Sequence, residues 1–172
     1  MNDLLHIASH FLIKGTPVSV KPLGDGLIND TYKVITAGED TPDYVLQRIN
    51  TDIFTDVDML QRNIISVTGH IRSKLREAGE SDLSRKTLTV VMADDGKAYR
   101  REDGSCWRMT VFIPRARTFD TVDTAHSYSA GTAFGRFEAM LADIGEMPGE
   151  IIPDFHNMEL RLRQLDDAVT ND

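Results

Sequence analysis

The sequence predicts an α+β domain built on an antiparallel sheet, and three observations carry that prediction. Short β-patterned segments alternate with turns rich in glycine and aspartate. One long helix with a single apolar stripe interrupts them, and everything after Pro114 is helical in pattern. Strands joined by hairpin turns and segregated from later helices mark α+β rather than alternating βαβ units. A length of 172 residues suits one domain of ordinary size, and 41% hydrophobic content is enough to build a core.

Residues 3–13 place Leu4, Leu5, Ile7, Ala8, Phe11 and Leu12 at near-helical spacing and stop before Gly15. The period then shortens, giving strands over 18–22, 31–36 and 44–49, with Gly24-Asp25-Gly26 and Ala37-Gly38-Glu39-Asp40 as the turns. Thr55 is the expected cap of the long helix, with Asp58 three residues on as a variant of the capping box. Val57, Leu60, Ile64, Val67, Ile71 and Leu75 follow at steps of three and four, and Gly79 is the stop. Three strands over 87–92, 98–100 and 105–113 are punctuated by Asp94-Asp95-Gly96 and Glu102-Asp103-Gly104 and read as a meander. After Pro114, Asp123 or Thr124 caps a helix whose Phe134, Phe137 and Leu141 stripe reads as core. A loop over 146–153 leads to a last helix capped by Asn157 and carrying Leu162, Leu165 and Val169.

Charge and cysteine content narrow the functional classes. With 19 basic against 27 acidic residues the net charge is −8, which argues against a nucleic-acid or anionic-membrane partner while leaving room for a small basic phosphate pocket. No apolar stretch is long enough to span a bilayer, and Met1-Asn2-Asp3 does not open a secretory signal, so a cytoplasmic location is expected. The single cysteine, Cys106, excludes an internal disulfide and a cysteine-based zinc site. Beside Trp107 in a strand it reads as a buried, inert thiol. His6 and His10 stand four residues apart on the first helix, but no third metal ligand can be named, so the pair reads as a partly exposed amphipathic face.

The loop Gly24-Asp25-Gly26-Leu27-Ile28-Asn29 is the most informative local feature. It lacks the lysine and hydroxyl of a P-loop, and β-patterned Thr31-Tyr32-Lys33-Val34-Ile35 follows it where a dinucleotide fingerprint would open a helix. A glycine loop joining two strands is the context in which kinase-like enzymes cover nucleotide phosphates with backbone amides; an ordinary hairpin turn is the competing reading. The strand that would carry the phosphate-holding cation is Tyr44-Val45-Leu46-Gln47-Arg48-Ile49-Asn50. Gln47 and Arg48 point to opposite faces of it, and which one faces the nucleotide stays open. The next helix offers no glutamate near its start, Asp58 and Asn63 being the nearest candidates.

Taken together, these segments resemble the N-terminal half of a kinase-like phosphotransferase of the aminoglycoside phosphotransferase and choline kinase family, closest to the N-acetylhexosamine 1-kinase group. The segments that carry the resemblance are Gly26-Leu27-Ile28-Asn29-Asp30-Thr31-Tyr32, residues 44–50, Trp107-Arg108 ahead of Phe112-Ile113, Ala133-Phe134-Gly135-Arg136-Phe137 and Ile152-Pro153-Asp154-Phe155-His156-Asn157. The resemblance implies an N-terminal helix over 1–14, an ATP-binding N-lobe over 15–113, and a hinge with the first C-lobe helices over 114–172. It implies ATP and Mg2+ as cofactors and a small-molecule sugar as partner. Nucleotide contacts would come from Gly24, Gly26, Asn29 and one of Gln47 or Arg48, with adenine received by backbone at Val111 and Ile113.

The chain departs from that family in one decisive respect. The catalytic segment His-x-Asp-x-x-x-x-Asn and the metal-binding aspartate after it are absent; Asp166 and Asn171 share the spacing, but Gln164 stands where histidine belongs and the segment is helical in pattern. No catalytic or metal-ligating residue is therefore assigned in this chain, and alone it is expected to be inactive, with Mg2+ ligands supplied by a missing C-lobe. A non-catalytic nucleotide- or partner-binding module is the competing class, and an aminoglycoside, choline or amino alcohol acceptor is the other alternative. His156 reads as loop packing or capping, with a sugar-side role as the second reading; Arg115 and Arg117 are balanced between a phosphate contact and a solvated linker. Helices cut from their partners would leave Phe134, Phe137, Leu141, Leu162 and Leu165 short of cover, so self-association through 125–170 is expected.

Overall fold

A computed structural model describes residues 2–24, 26–119 and 121–171. In chain order these form α1 (Asn2–Ser9), β1 (Thr16–Pro22), β2 (Asp30–Ala37), β3 (Tyr44–Ile49), α2 (Val57–Glu77), α3 (Leu83–Lys86), β4 (Val90–Val91), β5 (Arg100–Glu102), β6 (Ser105–Val111), α4 (Thr124–Leu141) and α5 (Met158–Thr170). All described strands join one antiparallel sheet of order β1-β2-β3-β6-β4, with β5 also paired to β6. The predicted α+β class with an antiparallel sheet is the observed one.

The second half of the sheet is not the meander that its turns suggest. β6 pairs with β3 along one edge, from Tyr44↔Val111 to Ile49↔Cys106. Its other edge is shared end to end: β4 takes Thr110 and Met109, and β5 takes Trp107, Cys106 and Ser105. The strand predicted over 87–92 shrinks to two residues because the chain around it has other partners. Thr87 N–H closes the short helix α3 on Leu83 O at 3.1 Å, and Phe11 bridges to Ala93 from outside the strand. That bridge also shortens the first helix. After Ser9 the backbone tightens into a turn, and Leu12 N–H then donates to Met92 O at 2.8 Å, so 10–13 become an edge rather than a last helical turn.

The cap of α2 is Asp56, not Thr55: the Asp56 carboxylate accepts from Met59 N–H at 2.8 Å. A carboxylate there also interacts favourably with the positive end of the helix dipole. At the other end Gly79 adopts φ +71°, and the backbone closes through Glu80 N–H to Leu75 O at 2.9 Å, the predicted stop.

Strand alternation divides the core between two faces. On one, Val34, Tyr44, Leu46, Val91, Trp107 and Met109 pack under Ile7, Ala8 and Phe11 of α1 and its following turn. Leu46, Met109 and Val34 are completely enclosed, each burial being worth about 1.5–3 kcal/mol. On the other face, Ile49 and Cys106 pack against Val57 and Leu60 of α2 with Tyr99. Since Ile49 and Cys106 form the last rung of the β3–β6 ladder, α2 anchors at one end of its face.

The C-terminal helices are attached differently. α4 is tethered to α2 where His70 and Lys74 reach Met140 O and the Asp143 carboxylate. Asn157 caps α5, as predicted, by accepting from Leu160 N–H. Neither helix has a buried residue among those described. The stripe predicted to be core is therefore not core here: Phe134 is 69% exposed, and Phe137, which faces Ile64, Val67 and Ile71 of α2 across an open groove, is still 43% exposed. Among the described residues no helix is long and apolar enough to cross a membrane.

Candidate functional site

The glycine loop does join two strands, β1 and β2, with its base closed by Leu23 N–H donating to Thr31 O at 2.9 Å. Gly24 sits at φ +71°, where an L side chain is strained, and the space beside it is open. At Gly26 an added Cβ would press on Asn29 O at 3.2 Å. Asn29, predicted as a nucleotide contact, is engaged within the protein: its Oδ1 accepts from Asn50 N–H at 2.9 Å. It braces the end of the loop to the end of β3. Asp25 lies outside the described residues.

The structure separates the two residues that the sequence left open. Arg48 is exposed and ion-paired with Asp30, on the same side of the sheet as its cross-strand neighbour Trp107. With Asp30, Ile28 and Gly104 it lines a cleft of about 340 Å³ at the end of the sheet. Gln47 points to the α2 side. Its Nε2 donates to Thr31 Oγ1 at 2.9 Å, and its Oε1 accepts from Arg108 Nε at 3.0 Å.

Arg108 was visible in the sequence only as part of a motif, and the register explains its importance. It lies directly opposite Gln47 on β6 and is half-buried. Among the described residues it meets no carboxylate, and its two terminal nitrogens have no hydrogen-bond partner. Burial pulls its pKa below the ordinary arginine value, yet a guanidinium keeps its charge. A partly desolvated cation with a free planar fork is suited to bind an oxyanion such as phosphate bidentately.

α2 contributes a second residue that the sequence reading missed. Gln61 is 3% exposed and neither of its amide atoms has a partner. It follows Leu60 on the stripe that packs on Ile49 and Cys106. Stranding a buried amide in this way costs about 1–3 kcal/mol, so the position holds a polar group against the packing preference. The two residues predicted to replace a helix glutamate are occupied elsewhere: Asp58 accepts from Tyr99 Oη at 2.9 Å, and Asn63 makes paired hydrogen bonds with the backbone of Gly149.

At the end of β6, Val111 N–H donates to Thr89 O and Phe112 N–H to Asp43 O, both at 2.9 Å. Val111 thus spends its amide on the sheet, and Ile113, the first residue past that pairing, makes no backbone hydrogen bond among those described. Arg115 and Arg117 are exposed and without ion pairs among the described residues. His156 stacks edge-on against Phe155 with ring centres 4.5 Å apart.

No protein-family model matches the chain. In overall structure it is similar to spectinomycin phosphotransferase APH(9)-Ia, solved in complex with ADP and spectinomycin, with a TM-score of 0.54 at 9% sequence identity. The match covers 85% of this chain and 38% of that one. The chain therefore has a kinase-like phosphotransferase fold, its sheet and α2 corresponding to a kinase-like N-lobe, and it spans 38% of the length of that solved structure.

Proposed function

We propose that this chain is the nucleotide-binding portion of an ATP-dependent, kinase-like phosphotransferase. The observation that carries the reading is the unpaired Arg108 guanidinium, bonded to Gln47 on the α2 side of the sheet. Protein kinases hold nucleotide phosphates with a β3 lysine paired to a glutamate on the helix that follows. Here Gln47 occupies the β3 position, Arg108 supplies the charge from the neighbouring strand, and Gln61 is the polar group on α2. These residues suit a nucleotide: the free fork of Arg108 would hold phosphate oxygens, and backbone at Gly24 and Gly26 would cover them from above. Asn29 serves by bracing that loop, Arg48 lies on the wrong face, and Ile113 with Val111 would form the adenine edge of the hinge.

When bound, ATP supplies the phosphoryl group. The chain's own contribution is to bind, orient and desolvate it. Mg2+ ligands and the catalytic aspartate are assigned to polypeptide outside this chain, with 15–113 as the N-lobe and 114–172 as the hinge and first C-lobe helices. The finer reading, carried by the resemblance of the sequence segments above, is a sugar acceptor, N-acetylhexosamine phosphorylated at its anomeric hydroxyl.

Calorimetric titration with ADP tests the nucleotide site. Saturable binding is expected, weakened at least tenfold by Arg108→Ala and unaffected by Arg48→Ala. No binding at millimolar ADP, or equal losses in both variants, overturns it. For the acceptor, the product of the whole reading frame should transfer phosphate from ATP to N-acetylglucosamine or N-acetylgalactosamine; transfer only to choline or an aminoglycoside would refute the sugar.

A further inference from the structure

We infer that His6, His10 and Glu102 form a binding site for a divalent transition-metal ion of zinc-like preference, where α1 meets β5. The sequence supplied two histidines four residues apart and no third ligand. The fold supplies it: β5 lies along the outer edge of β6 and brings Glu102 to the end of α1. One ligand atom from each of the three residues lies within 4.8 Å of the others. Metal–ligand bonds of about 2.0–2.2 Å put the ligand atoms of a tetrahedral shell about 3.3–3.6 Å apart. Closing onto an ion therefore takes side-chain rotations of an ångström or so, without moving either element.

The surroundings orient the ligands as metal sites require. His10 Nδ1 is 2.7 Å from Asp94 Oδ2, the carboxylate–imidazole pairing that fixes a ligating histidine's tautomer and raises its basicity. Arg100 Nε donates to Glu102 Oε2 at 2.9 Å, leaving Oε1 turned to His6 Nε2 at 3.1 Å. Arg100 also reaches Asp94 Oδ1 at 2.9 Å, so one guanidinium holds both carboxylates in place. The imidazoles of His6 and His10 meet edge to face, ring centres 4.7 Å apart.

Charge and access agree with this assignment. Two carboxylates against one guanidinium leave the cluster net negative when the imidazoles are neutral. His6 is solvent-facing, giving an entry path and room for water as a fourth ligand. Two nitrogens and one oxygen select a zinc-like ion over Mg2+ or Ca2+, which want oxygen shells. α1 covers the side of the sheet opposite Gln47 and Arg108, so this ion is separate from any that accompanies a nucleotide. Its effect would be to staple α1 to the β5 edge.

The test is titration of the metal-stripped chain with Co2+, followed by displacement with Zn2+. One equivalent of cobalt should bind with the intense visible absorption of a tetrahedral site, and zinc should remove that absorption and raise the unfolding temperature. His6→Ala, at an exposed helical position that tolerates alanine, should weaken binding at least tenfold, and Glu102→Gln should do likewise while keeping the shape. His156→Ala should change nothing. Absence of saturable binding at micromolar metal, binding that survives His6→Ala, or equal competition by Mg2+ overturns the proposal and leaves an ion-paired clasp.

Discussion

The two halves of this molecule use apolar residues in opposite ways. Up to β6, the large side chains of the strands meet partners from both sides, and Val34, Leu46, Cys106 and Met109 are wholly enclosed. Past residue 113, helices with comparable stripes bury nothing among the described residues. That half holds to the rest by polar ties, Lys74 and His70 to Asp143 and Asn63 to Gly149, and, among the described residues, by Ile151 alone packed against the α2-side core. Periodicity reports which face of a helix is apolar; it does not report whether anything lies across it. The first half is a core, while the second leaves most of its apolar side chains open to solvent among the described residues.

Substitutions can break or sharpen that contrast. The largest effect is expected for Leu46→Ala, which should lower stability by about 2–5 kcal/mol in denaturant unfolding, since Leu46 is enclosed between α1 and the central strands. Asn29→Ala should cost about 1–3 kcal/mol by orphaning the Asn50 amide, and hydrogen exchange should show that amide losing protection first. Gln61→Leu should go the other way, gaining about 1 kcal/mol by removing an unpartnered buried amide, while weakening ADP binding. A gain in stability with unchanged ADP affinity would take Gln61 out of the site.

Acid should act on the second half selectively. Lys74, and then His70, hold the Asp143 carboxyl below its ordinary value. A depressed pKa stabilises the folded form above the unfolded value, and that contribution is lost as pH falls through the folded one. The α4–α2 tie should therefore persist at neutral pH and release below about pH 4, seen as faster exchange in α4 before the sheet responds. The smallest change in stability belongs to Phe134→Ser, within about 0.5 kcal/mol. Sedimentation should still notice it: the wild-type chain is expected to self-associate at high concentration through α4 and α5, and the variant to do so less.

Legibility of the sequence followed the same division. Strand alternation and the Gly-Asp turns located β1, β2, β3 and β6 because each strand is long enough to show a period. β4, at two residues, shows none, and the chain just after it bridges to Phe11, a partner about eighty residues away that no local pattern announces. Thr55 and Asp56 are both good caps side by side, and only the backbone direction at that turn chooses between them. Gln47 and Arg48 were correctly placed on opposite faces, but the weight of Arg108 appears only when the register sets it beside Gln47. Gln61 falls on an apolar stripe, where a single polar residue is easily read past. Glu102, 92 residues after His10, had no local signal at all.

One consequence of the sheet's construction remains. β6 is the strand to which β3, β4 and β5 are all hydrogen-bonded, and it carries the chain's single cysteine, Cys106, at zero exposure. Its thiol points to the α2 side, roofed by Val57 and Leu60 of α2, by Tyr99 and by the half-buried Ile151. The rate at which an aromatic disulfide reagent labels Cys106 therefore times the lifting of that roof from the end of the β3–β6 ladder, with no probe to be engineered in.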